Sequence, residues 1–162
     1  VYKRQVHTRV LSKRTAAVYA CSTVIVRAVR PLVLIAIGGL IYYMIEMVYR
    51  GYSHWTMFLV GGVCFWMIGL INEILPWEMP FVEQCVIGSL IVTIIEFISG
   101  CVINLWIGWN VWDYSNVPFN VLGQICLPFS ALWAVISAIA IILDDHLRHW
   151  LYGEEKPKYK FI

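Results

Sequence analysis

Two acidic residues stand inside long apolar runs of this sequence, Glu46 and Glu96. A carboxylate within a bilayer costs several kcal/mol unless it is paired, hydrated or protonated. Together the two could form one central site for a cation or a proton. The structural alternative pairs Glu46 with Arg50 one helical turn later and gives Glu96 a hydrogen bond from a Tyr or Asn. Asn104 lies two turns beyond Glu96 on the same helical face. A third acid, Glu73, follows Asn72 and is expected to be solvated at an interface.

A second candidate is the segment Trp112-Asp113-Tyr114-Ser115-Asn116-Val117-Pro118-Phe119-Asn120. It sets polar side chains between aromatics and holds turn-forming residues. Asp113 suits a local turn, and Asn120 suits the N-cap of the helix that follows. The alternative is a ligand site or gate that includes Asp113, Ser115 and Asn120. His54, beside Arg50 and Ser53, could help to hold a phosphate or carboxylate, or could simply be an interfacial histidine. His146 and His149, with Asp144 and Asp145, have a one-face spacing suited to a metal. That pattern is weak, and neither a metal nor a cofactor is expected. No Walker A, HExxH or GxSxG motif occurs, so ATPase, zinc-protease and serine-hydrolase chemistry lack their usual residues. An enzyme is not expected.

The elements that must position these residues are membrane helices. The chain has 162 residues, 60% of them hydrophobic, and a mean hydropathy of +0.74; soluble domains are about 45–50% apolar. The excess collects in four stretches long enough to cross a bilayer: Pro31 to Tyr49, Trp55 to Leu75, Gln84 to Trp106, and Gly123 to Leu143. The expected fold is an all-α, four-helix transmembrane bundle over residues 31–152. Leu147, Trp150 and Leu151 share one face and predict a short interfacial helix at its end. Residues 153–162 read as a polar tail. Residues 1–30 read as a basic, interfacial segment; because the chain begins with Val1, flanking or fragmentary sequence is expected there.

Basic residues set the expected orientation. Lys3, Arg4, Arg9, Lys13, Arg14, Arg27 and Arg30 precede the first span, and Arg148, Lys156, Lys158 and Lys160 lie at or beyond the end of the last. Arg50 alone lies between spans one and two. The positive-inside rule then puts both termini in the cytoplasm of a multi-pass cell-membrane protein. Flanking Lys and Arg need no nucleic-acid partner to explain them. Of the cysteines Cys21, Cys64, Cys85, Cys101 and Cys126, none forms a CxxC pair, and packing is the expected role. Trp55, Trp106, Trp109 and Trp112 mark the outer interface, Trp77 and Trp150 the inner one. On span four, Ser130, Ala134 and Ala138 form a small-residue stripe suited to close packing, and Pro128 is placed to kink that span.

An internal repeat is also legible. Aligned on Tyr52-Ser53 and Tyr114-Ser115, both halves continue to Gly61 or Gly123 and then Cys64 or Cys126. Gly38 to Glu46 likewise matches Gly88 to Glu96. Each half would be one helical hairpin in a parallel repeat.

Several strings resemble the family called Putative ABC-transporter type IV, small bacterial membrane proteins. They are Gly38-Gly39 through Tyr42 to Glu46, Arg50-Gly51 with Ser53-His54-Trp55, Glu96 to Gly100, Trp112 to Ser115 with Pro118, Asn120, Gly123 and Ile125-Cys126-Leu127, and Pro157-Lys158-Tyr159. The resemblance covers about residues 31–160. It implies a permease-like component of a transporter, whose ATPase would be a separate subunit. The expected function is binding or moving a small solute or ion, as a homo-oligomer or with partners, with Glu46, Glu96, Asn104, Arg50, His54, Asp113, Ser115 and Asn120 at the site. The alternative is a non-transporting scaffold or regulatory subunit, or a holin-like pore former.

Overall fold

The computed structural model describes residues 28–76 and 78–161. The basic segment before residue 28 and the interface role of Trp77 lie outside the described residues. By contacts the chain divides into residues Val1–Val33 and Leu34–Ile162. The described part of the first unit, residues 28–33, is helical and opens α1; the other features below belong to the second.

Among the described residues, four helices are long and apolar enough to cross a membrane. Helix α1 covers Ala28–Arg50. Helix α2 (Trp55–Gly69) and the short α3 (Ile71–Ile74) make the second span. Helix α4 (Phe81–Gly100) runs into a π-helical segment, Cys101–Trp106. Helix α5 covers Leu127–Tyr152. Between the π segment and α5, strand β1 (Asn120–Val121) pairs antiparallel with β2 (Ile125–Cys126), Asn120 opposite Cys126. The spans hold 20 to 26 residues, about 30–39 Å at the helical rise, enough for the hydrocarbon core.

On α4 and α5 the polar residues within the spans share the buried face with a few apolar ones, and the outward face is apolar. The buried face of α4 is Phe81, Gln84, Gly88, Val92, Glu96 and Gly100. Its outer face carries Val86, Leu90, Ile94 and Ile98, each at least half exposed. Helix α5 repeats the pattern, burying Trp133, Ser137, Ile141, Asp144, Asp145 and Arg148 while Leu132, Val135, Ile139 and Ile142 face out. Lipid accepts such apolar faces, and backbone groups satisfied within helices make them viable there.

Without a hydrophobic drive between helices in lipid, close backbone approach has to hold the bundle. Two glycine pairs provide it between α1 and α2. A Cβ at Gly39 would lie 2.2 Å from the Phe58 carbonyl oxygen, and one at Gly62 would lie 2.3 Å from that of Ile35. Gly88 of α4 gives the same access to Ser137 of α5, 2.6 Å from its hydroxyl. In the small-residue stripe, Ser130 joins α5 to α4: its carbonyl accepts from Ser89 Oγ at 2.5 Å and its hydroxyl from Thr93 Oγ1 at 3.1 Å. Cys64, Ile68, Ile71, Phe81, Val92, Trp133 and Ile141 form an apolar core.

Several expectations are corrected. The last span starts at Leu127, not Gly123, and does not end at Leu143; Leu147 to Leu151 continue α5 instead of forming a separate interfacial helix. The charges that seemed to close the span, Asp144, Asp145 and Arg148, are buried against the bundle. Gly153 ends the helix with φ of 69°, its N–H donating to the His149 carbonyl, a left-handed cap that suits glycine. Pro128 sits in the first turn of α5, where no intrahelical N–H is required, so no kink follows. Asn120 does not cap α5, whose N-cap is Cys126 without a side-chain bond. The polar tail docks on the start of α4. The Phe81 N–H donates to the Lys160 carbonyl at 2.7 Å, and the Phe81 ring packs edge-on against Tyr159 and Phe161. The two aligned halves also differ locally: Gly61 and Cys64 are helical, whereas Gly123 and Cys126 lie in the β-hairpin region.

Candidate functional site

Two clusters of buried polar side chains form, one toward each end of the bundle. The first surrounds Glu46 and Glu96. Glu46 Oε1 accepts from Arg50 Nη1 at 3.0 Å, and Oε2 from Ser53 Oγ at 2.6 Å. The first bond follows from helical spacing, four residues apart. The second needs the chain to reverse at Gly51, whose φ of 77° is left-handed. Arg50 also donates to the Val111 carbonyl at 3.1 Å and lies 5.0 Å from the centre of the Tyr52 ring, a cation–π distance.

Glu96 is held by neutral donors. Tyr114 Oη donates to Oε1 and Trp133 Nε1 to Oε2, each at 2.9 Å. Burial first, and the nearby Glu96 second, push the Tyr114 phenol above its ordinary pKa, so it remains a protonated donor. Tyr42, one turn before Glu46, packs on Trp133 with ring centres 6.3 Å apart. The two acids are thus linked through Tyr42 and Trp133, each carboxylate oxygen already having a protein partner.

The π segment carries Asn104 on the buried side. Its Nδ2 donates to the Trp112 carbonyl and to Gln124 Oε1, and its Oδ1 accepts the Val111 N–H at 2.7 Å. Trp112 Nε1 returns a bond to the Gln124 carbonyl. Irregular backbone near the membrane is viable when such side chains satisfy it. Farther out, Asp113 Oδ1 accepts from the Ser115 N–H and hydroxyl, which hold its pKa below the ordinary value. Asn120 braces the same loop, donating to the Ser115 and Val117 carbonyls and accepting from Gly123.

The second cluster lies at the other end, around the C-terminal half of α5. Arg148 Nε donates to Asp144, whose carboxylate occupies the space a Gly69 side chain would need. Arg148 Nη1 lies 3.9 Å from Glu73 Oε1. Asp145 Oδ2 accepts from Asn72 Nδ2 at 2.7 Å and from Tyr159 Oη at 3.0 Å. Burial, then Asp145, raise the Tyr159 pKa, which preserves that donor. An open cavity of about 390 Å³ adjoins this cluster, lined by Asn72, Glu73, Asp145, Arg148, Glu154 and Glu155.

A family model described as Putative ABC-transporter type IV matches residues 33–159. The chain belongs to this family. No curated protein and no solved structure gives a significant match. Membership in the Putative ABC-transporter type IV family fits a membrane protein related to transport, and the match spans all the residues of both clusters.

Of the residues singled out from sequence, Arg50 and Asn104 meet at the Val111 backbone, Glu46 joins them through Arg50, and Glu96 is held by the Tyr114 side chain. His54 stands apart as the N-cap of α2, accepting from the Thr56 N–H and touching the Trp55 and Trp109 rings. Asp113, Ser115 and Asn120 organise their own loop. Among the described residues no group of His, Cys, Asp and Glu suits a metal. His146 and His149 instead contact the carbonyls of Ile142 and Glu154. Sequence reasoning missed Trp133 and Gln124, and it missed the Asn72–Asp145–Tyr159 and Asp144–Arg148 contacts. The four-residue spacing of Asp144 and Arg148 was the available signal.

Proposed function

We propose that this chain is a permease-like membrane subunit that binds or moves a small solute or ion only within a larger assembly, as several copies or with partners. Family membership supports the link to transport. The assembly reading rests on one observation: Ile68 of α2 precedes Asn72 of α3, Val92 precedes Glu96 on α4, and Ile141 lies between Trp133 and Asp144 on α5, so buried apolar side chains separate the two polar clusters. A solute crossing that layer within one chain would lose its water with little to replace it. A path between chains avoids that cost. Energy from ATP would come from a separate subunit, because this sequence contains no Walker A motif. The basic residues favour cytoplasmic termini, which puts the Arg148 cluster on the cytoplasmic side, where an ATPase would act.

The test is to purify the chain with its bound partners from the native membrane and to reconstitute it with any ATPase that co-purifies. Uptake that requires ATP and both proteins, and that changes in Glu96→Gln while folding is intact, supports the proposal. Uptake by the ATPase complex that is unchanged when this chain is omitted rejects it. A scaffold or regulatory role is favoured because each carboxylate oxygen of Glu46 and Glu96 already accepts a hydrogen bond from the protein. It predicts that Glu46→Gln and Glu96→Gln leave uptake unchanged while partner assembly still depends on the chain.

A further inference from the structure

The hairpin of β1 and β2, between the π segment and α5, turns large apolar side chains outward. Phe119 is 78% exposed and Leu122 is 65% exposed, and Val121 between them is exposed as well. Phe119 and Leu122 have φ of 57° and 53°, a left-handed backbone that bulky side chains rarely adopt. Such strain persists where surrounding bonds over-determine it, and it clusters at functional places. An exposed apolar patch is in turn the mark of a contact surface.

Three observations favour lipid as the contact. The carbonyls of Phe119, Val121, Leu122, Gly123 and Gln124 each accept a hydrogen bond, in turn from the Leu127 N–H, the Gln124 N–H, the Gln124 side chain, the Tyr114 N–H and the Trp112 indole. Backbone satisfied by protein in this way does not need water. No Asp, Glu, Lys, Arg or His occurs from Tyr114 to Leu143, so the tip brings no charge of its own to desolvate. The tip is also continuous with a lipid-facing surface. Leu127, whose N–H reaches Phe119, heads the outward row of α5 that runs on through Leu132, Val135 and Ile139.

We propose that this hairpin is a membrane anchor, lying at the interface of the adjoining leaflet with Phe119, Val121 and Leu122 among the tops of the lipid acyl chains. Asp113 sets its depth. That residue is exposed, and its Oδ1 lies 2.7 Å from where a Gly123 Cβ would be, so the tip reaches the boundary while the carboxylate stays with the headgroups. The exposed Trp106 and Trp109 suit the same level. Tyr114 ties the anchor to the buried acid, its N–H donating to the Gly123 carbonyl and its hydroxyl to Glu96. The anchor stands or falls independently of the transport proposal.

The experiment is methyl NMR of the full chain in lipid nanodiscs, with leucine and valine methyls labelled. Two paramagnetic agents are compared: a phosphatidylcholine spin-labelled near the top of its acyl chain, and a water-soluble gadolinium chelate. The Val121 and Leu122 signals are expected to broaden with the lipid agent as the Leu127 signal does, and to be spared by the chelate. Broadening by the chelate instead would put the tip in water. Broadening by neither agent would put it under protein, a second copy included. Either result overturns the assignment. In a chain carrying both Phe119→Asn and Leu122→Asn, residues that adopt left-handed backbone more readily keep the hairpin folded. The Val121 signal is then expected to lose its response to the lipid agent and to gain one to the chelate. A Val121 signal broadened by lipid as strongly as in the unaltered chain would also overturn it, because neither large anchor remains.

Discussion

The indole N–H of Trp133 meets the Glu96 carboxylate at 2.9 Å on the buried seam between α4 and α5. It is one of two neutral groups that make an acid tolerable there, the other being Tyr114. Trp133→Phe keeps most of the ring and removes the donor, so it leaves a buried acceptor half satisfied. We expect a loss of about 1–3 kcal/mol in detergent unfolding. Trp133→Ala adds a cavity and should cost more, about 3–5 kcal/mol.

Gly39 and Gly62 let α1 and α2 touch through backbone. A methyl at either position meets a carbonyl oxygen that cannot step aside. Gly39→Ala and Gly62→Ala are each expected to destabilise the bundle by about 1–3 kcal/mol, read by the same unfolding assay. Gly51→Ala meets no neighbour within 4 Å, so only its left-handed backbone opposes the change, with an expected loss of about 1 kcal/mol.

Asp113 predicts an acid-sensitive loop. Its carboxylate is exposed, and the Ser115 hydroxyl and N–H hold its folded pKa below 3.8. The ionised form therefore contributes stability above the unfolded pKa. That contribution fades as pH falls through the folded value and is absent below it. Amide exchange at Ser115 should be slow near neutral pH and accelerate, after correction for intrinsic rates, below pH about 4. Asp113→Asn should remove the pH step.

Tail docking depends on Tyr159 and the Phe81 ring. Tyr159→Phe deletes the bond to Asp145 but keeps the aromatic contact, with an expected loss of about 1 kcal/mol. Limited proteolysis should cut the 153–161 segment faster in this variant while the spans remain protected. An unchanged cleavage rate would mean that the hydroxyl does not hold the tail.

The spans were legible because each apolar run is long enough to be nothing but a membrane helix, and the Glu46–Arg50 pair because helical spacing joins residues four apart. Contacts made across the bundle were not. Trp133 lies 37 positions from Glu96, and Asp145 lies 73 from Asn72; neither neighbour can be read from a local pattern. Asp144, Asp145 and Arg148 looked like the charged end of a span because hydropathy counts charges without their partners. Buried against Asn72, Tyr159 and each other, they let α5 continue to Tyr152. Asn120 looked like a helix cap by residue type, but the β-hairpin intervenes before α5 begins.

The apolar layer between the polar clusters is tested most directly by loading lipid vesicles with a small fluorescent dye and inserting the purified chain alone. At no more than one chain per vesicle, release no faster than from protein-free vesicles is the predicted result. Dye release at that dilution would contradict it, because a single chain with an apolar layer across its interior cannot conduct alone.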